Sequence, residues 1–277
     1  MEKDYPIITL LTDFGTRDAY VSAMKGVMLR MCPTARIVDV SHDVPKYDIK
    51  YGALLLLQAA PYFPEGTIHV TVIDPSVGTA RRRIIVQGRR SLYVGPDNGV
   101  LLLAAEREGV MKAVEVKEER FMLPYVSKTF EGRDVFAPVS AYLASGVKID
   151  EFGPEIHNLV KLSFIEPKIA DGKIVGEILH IDSFGNIVTN IQRDLLDNAR
   201  IVEGIPLKVM VGKHSNVMIF CRAYGEVSAG MPLIIVGSSG FLEVSVNQGS
   251  ARELFKAKVG DIVEISLPKG RMLNDMM

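Results

Sequence analysis

The stretch Ile7-Ile8-Thr9-Leu10-Leu11-Thr12-Asp13-Phe14-Gly15 decides the architecture of the N-terminal half. An apolar run ends in an Asp-Phe-Gly turn, after which Tyr20, Val21, Met24, Val27, Met28 and Met31 recur at helical spacing. Strand, turn and helix is the parse, and a turn at the carboxyl end of a strand is where an open α/β sheet presents groups to a ligand. Downstream, Arg36 to Val40 reads as a strand, Ile49 to Ala60 as a helix and Thr67 to Ile73 as a β-branched strand stopping at Asp74-Pro75. Ile84 to Gln87 and Ser91 to Val94 form a hairpin pattern around Gly88-Arg89-Arg90, and Leu101 to Glu108 is helical. Alternation of this kind to about Leu143 predicts an α/β fold: a layered domain with a mostly parallel sheet.

The pattern changes near Ile165-Glu166-Pro167-Lys168, where proline and charge predict a linker. Beyond it come short runs at Gly172 to Ile181, Ile187 to Ile191, Leu207 to Val211, Val217 to Cys221, Pro232 to Val236, Leu242 to Val246 and Asp261 to Leu267. With little helical periodicity among them, an all-β barrel-like domain is expected. The division is thus 1–165 and 166–277, with a disordered tail from Pro268.

A chain of 277 residues, 48% hydrophobic and 23% charged, has material for one large domain or two modest ones. Its 32 basic and 33 acidic side chains nearly cancel, and the densest basic cluster is Arg81-Arg82-Arg83, too short for a nucleic-acid track. No nucleic-acid partner is expected. No apolar run approaches the roughly 20 residues that span a bilayer, and the first residues lack a signal-peptide pattern, so no membrane partner and a cytoplasmic location are expected. Cys32 and Cys221 are far apart and His42, His69, His157, His180 and His214 have no ligand spacing, so no metal is expected. GxGxxG, Walker and GxSxG motifs are missing, which disfavours a dinucleotide enzyme, an NTPase and an α/β-hydrolase.

Six polar clusters punctuate the apolar runs: Thr12 to Gly15, Asp74 to Thr79, Pro96 to Gly99, Thr129 to Asp134, Asp182 to Asn186 and Ser245 to Ser250. Each taken alone reads equally as a turn, since Asp, Asn and Gly are turn formers. Asp13 can accept two hydrogen bonds from vicinal hydroxyls or cap a helix near Asp18, and Asp74, Arg81 and Glu131 can form a water-activating group or a structural ion pair.

In this order the clusters resemble the S-adenosyl-L-methionine (SAM) hydroxide adenosyltransferases, relatives of the fluorinase and chlorinase enzymes, from about Ile7 to about Leu267. The resemblance implies hydrolysis of SAM to adenosine and L-methionine by water or hydroxide attacking C5′ of the ribose. SAM is then the substrate, no cofactor is needed, and the enzyme is a homotrimer whose active site is shared between the first domain of one subunit and the second of its neighbour. The family's catalytic trio is an Asp, an Arg seven residues later and a His within Thr-Phe-His-Gly-Arg-Asp. Asp74 and Arg81 match, whereas Glu131 stands in the histidine slot. The resemblance also implies ribose binding by Asp13, contacts to the nucleoside and methionine region from Tyr47 and Asn98, and methionine contacts from Asp182 and Ser238. Phe184 and Asn186 are implied to stack on and face adenine, with the backbone from Val246 to Gln248 reading its remaining edge. Two rivals are an adenosyltransferase using a halide or other anion and a non-catalytic SAM or adenosine sensor. Asp74, in place of a family tyrosine, would repel a halide.

Overall fold

The computed structural model describes residues 5–267. The expected disordered tail from Pro268 lies outside them. Tertiary contacts divide the chain between Leu162 and Ser163 into two compact units.

In the first unit, β1 (Ile7–Thr12), α1 (Tyr20–Met31), β2 (Arg36–Ser41), α2 (Ile49–Ala59), β3 (Ile68–Val72), β4 (Arg83–Gly88), β5 (Leu92–Pro96), α3 (Leu102–Glu108), β6 (Val110–Glu115) and α4 (Ala137–Ala144) follow in order. The sheet runs β2-β1-β3-β5-β4-β6, parallel through its first four strands and antiparallel where β4 pairs with β5 and β6. Its inner strands β1, β3, β5 and β4 are buried on both faces. Ile8, Leu10, Val70 and Val94 pack with α1 and α4 residues such as Met24 and Val139, while Leu11, Ile73, Val86 and Tyr93 pack with Leu56 of α2 and Ala105 of α3. Burial on both sides explains why these strands read as continuous apolar runs rather than alternating ones. The sheet thereby delivers Thr12-Asp13 and Ile73-Asp74 to the carboxyl ends of adjacent parallel strands.

The second unit contains β7 (Lys168–Ala170), β8 (Lys173–Ile181), β9 (Ile187–Gln192), α5 (Arg193–Asn198), β10 (Pro206–Val211), β11 (His214–Cys221), β12 (Pro232–Val236), β13 (Phe241–Val246), α6 (Ala251–Phe255) and β14 (Ile262–Ser266). Strands β14-β10-β11-β12-β13-β9-β8 close on themselves through a β14–β8 pairing, and β7 adds outside β8. The interior is filled by side chains including Ile178, Ile187, Val209, Phe220, Ile234, Leu242, Val244 and Ile265. The expected barrel is therefore present, and α5 and α6 are short additions between its strands. At six and five residues they are too short for an apolar stripe to register in sequence. The expected linker is also more ordered than its composition suggests. Ile165 N–H donates to Glu177 Oε1 at 2.8 Å, Asn190 Nδ2 donates to Ile165 O at 2.5 Å, and Lys168 already pairs in β7.

Candidate active site

Asp74 follows β3, and Asn98 braces that strand end. Its Nδ2 donates to Ile73 O at 2.8 Å while its Oδ1 accepts from Val100 N–H at 3.2 Å. Asn98 thus holds the turn with both ends of its amide. The loop after Asp74 folds back through Val77 N–H to Asp74 O and Thr79 N–H to Ser76 O. Gly78 has φ +79°, and a Cβ there would lie 2.3 Å from Lys128 O, so only glycine lets this loop approach the 128 segment without displacement.

The loop returns Arg81 onto Asp74. Arg81 Nε donates to Asp74 Oδ2 at 2.9 Å and Oδ1 at 3.2 Å, and Arg81 Nη2 bonds both Asp74 Oδ2 and Glu131 Oε2. The other Glu131 oxygen, Oε1, accepts from Arg83 Nη2 at 2.6 Å. Two carboxylates and two guanidiniums therefore form one chain, Asp74–Arg81–Glu131–Arg83, with formal charges that cancel. The Asp74 and Glu131 side chains are each 4% exposed and Arg81 8%. Burial works against the Glu131 charge, but hydrogen bonding to Arg83 and the Arg81 charge outweigh it and hold the carboxyl below its ordinary range. Burial likewise opposes the Arg81 charge, and Asp74 with Glu131 raises its pKa overall.

Glu131 precedes a π-helical turn, Gly132–Phe136, a backbone form often found at functional sites. Asp134 in that turn accepts from Ser127 N–H at 2.8 Å and from Arg133 Nε at 2.6 Å, pinning the segment leading to Glu131. Phe130 meets Phe14 at 5.8 Å and Tyr20 at 5.1 Å between ring centroids, so the Glu131 turn packs against the Asp13 turn.

Asp13 is buried, and its Oδ2 accepts from Tyr47 N–H at 2.9 Å. Its Oδ1 has no protein hydrogen-bond partner among the described residues. The helix-cap alternative fails for Asp13 and Asp18, because α1 starts from Ala19 without a side-chain cap. Tyr47 has φ 68° and is 68% exposed, its backbone engaged with Asp13 and its ring uncovered.

In the second unit, the Asp182 carboxylate is occupied by its own turn. Oδ1 accepts from Phe184 N–H at 2.9 Å and Asn186 N–H at 2.8 Å, and Oδ2 from Asn186 Nδ2 at 2.9 Å. That arrangement leaves the Asn186 amide oxygen and an exposed Phe184 ring presented by the turn. Gly185, at φ +84°, abuts Ser250: a Cβ there would sit 2.2 Å from Ser250 Oγ, and Arg252 N–H donates to Gly185 O at 2.9 Å. The 182–186 and 246–250 turns are therefore neighbours. Val246 ends β13, and Gln248 is exposed with φ 53°. Ser238 lies in the β12–β13 turn next to Gly237, where a Cβ would sit 1.8 Å from Glu243 Oε1, the carboxyl on which the Asp182 charge also acts.

Two family descriptions match this chain: the SAM hydroxide adenosyltransferase N-terminal domain over residues 8–153 and the corresponding C-terminal domain over residues 176–264. The chain belongs to the SAM hydroxide adenosyltransferase family. Among its relatives in that family, proteins named (R)-S-adenosyl-L-methionine hydrolase from Salinispora tropica and Methanocaldococcus jannaschii are 40% and 36% identical, over 94% of this chain and 98% and 95% of theirs. A fluorinase from an Actinoplanes species is 29% identical over 94% of this chain and 97% of its own. A crystal structure of an uncharacterized conserved protein from Thermotoga maritima superposes with TM-score 0.90 at 34% identity, covering 94% of this chain and 99% of that one.

For this family member, Arg83 joins the site although neither motif nor resemblance singles it out. The signal was present in Arg81-Arg82-Arg83, because alternate residues of an extended segment point the same way. Arg81 and Arg83 both reach Glu131, whereas Arg82 turns to Asp97 at 2.8 Å and Asn158 at 2.8 Å. Tyr224 and Glu243, likewise in no motif, form a second polar pair. The Tyr224 hydroxyl donates to Glu243 Oε2 at 2.9 Å, and burial together with the neighbouring Asp182 charge pushes the Glu243 carboxyl above its usual range. Burial and Glu243 push the Tyr224 hydroxyl up to about 12.

Proposed function

We propose that this chain hydrolyses SAM to adenosine and L-methionine by attack of water or hydroxide at C5′ of the ribose. The C5′–S bond breaks as the C5′–O bond forms, the sulfonium accepts the bonding pair and departs as a neutral thioether, and one proton leaves the attacking water. No acid is needed for such a leaving group, so catalysis reduces to placing the oxygen in line and accepting its proton. The observation that carries this reading is the sharing of buried Arg81 by Asp74 and Glu131. Two fixed carboxylates offer acceptors to a water proton, and the guanidinium between them limits the charge that accumulates. The same carboxylates disfavour a halide. Asp13 takes the ribose hydroxyls through its unpartnered oxygen, with Tyr47 beside it and Asn98 bracing the strand end that carries Asp74. Asn186 and Phe184 take adenine with the Val246 to Gln248 turn, while Asp182 and Ser238 serve the methionine end, Asp182 also through the turn it closes.

A homotrimer with a pocket shared by two subunits, in the cytoplasm, completes the proposal and is supported by family resemblance. Mixing Asp13→Asn and Asn186→Ala subunits should restore part of the activity each lacks if the two residues come from different subunits. Turnover of SAM in ¹⁸O-labelled water is the deciding experiment. Label in the 5′-hydroxyl of adenosine is expected; a 5′-halogenated nucleoside would establish the anion-using alternative, and binding without turnover would establish a sensor.

A further inference from the structure

We propose that Arg83 is a positioning residue for this reaction: it clamps the second oxygen of Glu131 and so fixes that carboxylate as a standing anion aimed at Arg81. The inference rests on the hydrolytic reading above for its kinetic arm only. Arg81 is already shared with Asp74, so without Arg83 two buried carboxylates would divide one guanidinium. The Arg83 clamp at 2.6 Å removes that imbalance. It also leaves the two Glu131 oxygens with different guanidinium partners, which determines the rotation of the carboxylate and the direction of its remaining lone pairs. Arg82, between the two, faces away and bonds Asp97, so the segment entering β4 presents two of its three arginines to one acid.

The clamp stands at the edge of a cavity of about 650 Å³, lined by Arg83 and Glu131 with Thr79, Glu119, Arg120 and Lys128 among others. Arg83 is 31% exposed where Glu131 is 4%. Arg83 is therefore the solvent-exposed side of the clamp, which opens its place to free guanidinium once its side chain is removed. The charged groups facing Glu131 are Arg81 with its partner Asp74, Arg83, and across the cavity Glu119, Arg120 and Lys128; Arg133 on the π-helical turn is engaged by Asp134. Among the described residues only Arg81 and Arg83 touch the carboxylate, so removing Arg83 takes away half of those direct cationic contacts.

The test is carboxyl ¹³C NMR of the glutamate-labelled protein without substrate, with Glu131→Gln assigning the signal, in the parent, Arg83→Gln, Arg83→Met and Arg83→Lys. Arg83→Met keeps bulk beside Met122, which Arg83 Nη1 approaches at 3.8 Å, should the amide variant fail to fold. The Glu131 midpoint is expected to rise by at least one pH unit in the two uncharged variants and to move back toward the parent value in Arg83→Lys. In single-turnover SAM cleavage the acid limb should move in parallel, kcat should fall roughly 10-fold or more with KM little changed, and millimolar guanidinium should restore part of the rate. A folded uncharged variant whose Glu131 midpoint stays at the parent value overturns the proposal. So does a kcat loss uniform across pH that guanidinium does not relieve, since that marks a scaffold role. The substrate-free titration stands or falls independently of whether SAM is the substrate.

Discussion

Replacing Glu131 by Gln is the most informative perturbation of the candidate active site. It keeps shape and one acceptor oxygen but removes the charge that Arg81 and Arg83 share. If Glu131 orients and helps deprotonate the attacking water, kcat should fall roughly 10- to 1000-fold, within or below the usual general-base contribution, which is about 1.4 to 4 kcal/mol of transition-state free energy. SAM affinity should change little, because Glu131 sits on the nucleophile side. Stability should fall too: breaking a buried ion pair costs about 3 to 5 kcal/mol when a charge is left alone, and the glutamine oxygen still satisfies one guanidinium, so a loss below that range is expected. Charge linkage sets the pH signature. The folded carboxyl of Glu131 lies below its ordinary value, so its contribution is present above the unfolded pKa near 4.3 and is lost as pH falls through the lower folded value. The parent acid limb should therefore lie below about 4.3 as far as Glu131 governs it. In Glu131→His the limb should move up to the imidazole range, at or below about 6.5 because two guanidiniums disfavour the imidazolium. Single-turnover SAM cleavage across pH for the parent, Glu131→Gln, Glu131→His and Asp74→Asn is the assay. Parental kinetics in Glu131→Gln with an inactive Asp74→Asn would refute the reasoning and leave water activation to Asp74 and Arg81.

Asp13→Asn should weaken SAM and adenosine alike by about 10- to 100-fold, since charge-assisted hydrogen bonds contribute about 1.5 to 3 kcal/mol; calorimetric titration with adenosine that finds parental affinity in a folded variant removes Asp13 from the pocket. His69 is buried, stacks on Tyr93 at 5.2 Å, and is pushed by desolvation down to about 4. Its unfolded form binds the proton first, so stability should be full above about pH 6.5 and fall by about 3 kcal/mol in total as pH drops to about 4. Urea titrations at intervals across that window should show this slope in the parent and a shallower one in His69→Asn.

Much of the fold was legible because it is written in local periods. Ile7 to Thr12 followed by methionines at helical spacing could only be strand, turn and helix in that order, and continuous apolar strands could only belong to a sheet covered on both faces. Asp74, Arg81 and, in the family's histidine slot, Glu131 were picked out by the family resemblance, since their residue types alone fit a structural ion pair equally well. What stayed hidden depends on neighbours distant in sequence or on elements too short to show a period. Arg83 meets Glu131 across 48 positions, and no pattern within either segment records it. Asn98 and Asp182 carry the residue types of ligand contacts, yet the folded chain engages both side chains in bracing turns. Barrel closure needs β14 to find β8, and α5 and α6 are a single turn or so each. Composition and spacing determined the layers and the chemical inventory of the chain; tertiary packing decided which acid each guanidinium meets, because a side chain's charge is encoded locally while its partner and its burial are not.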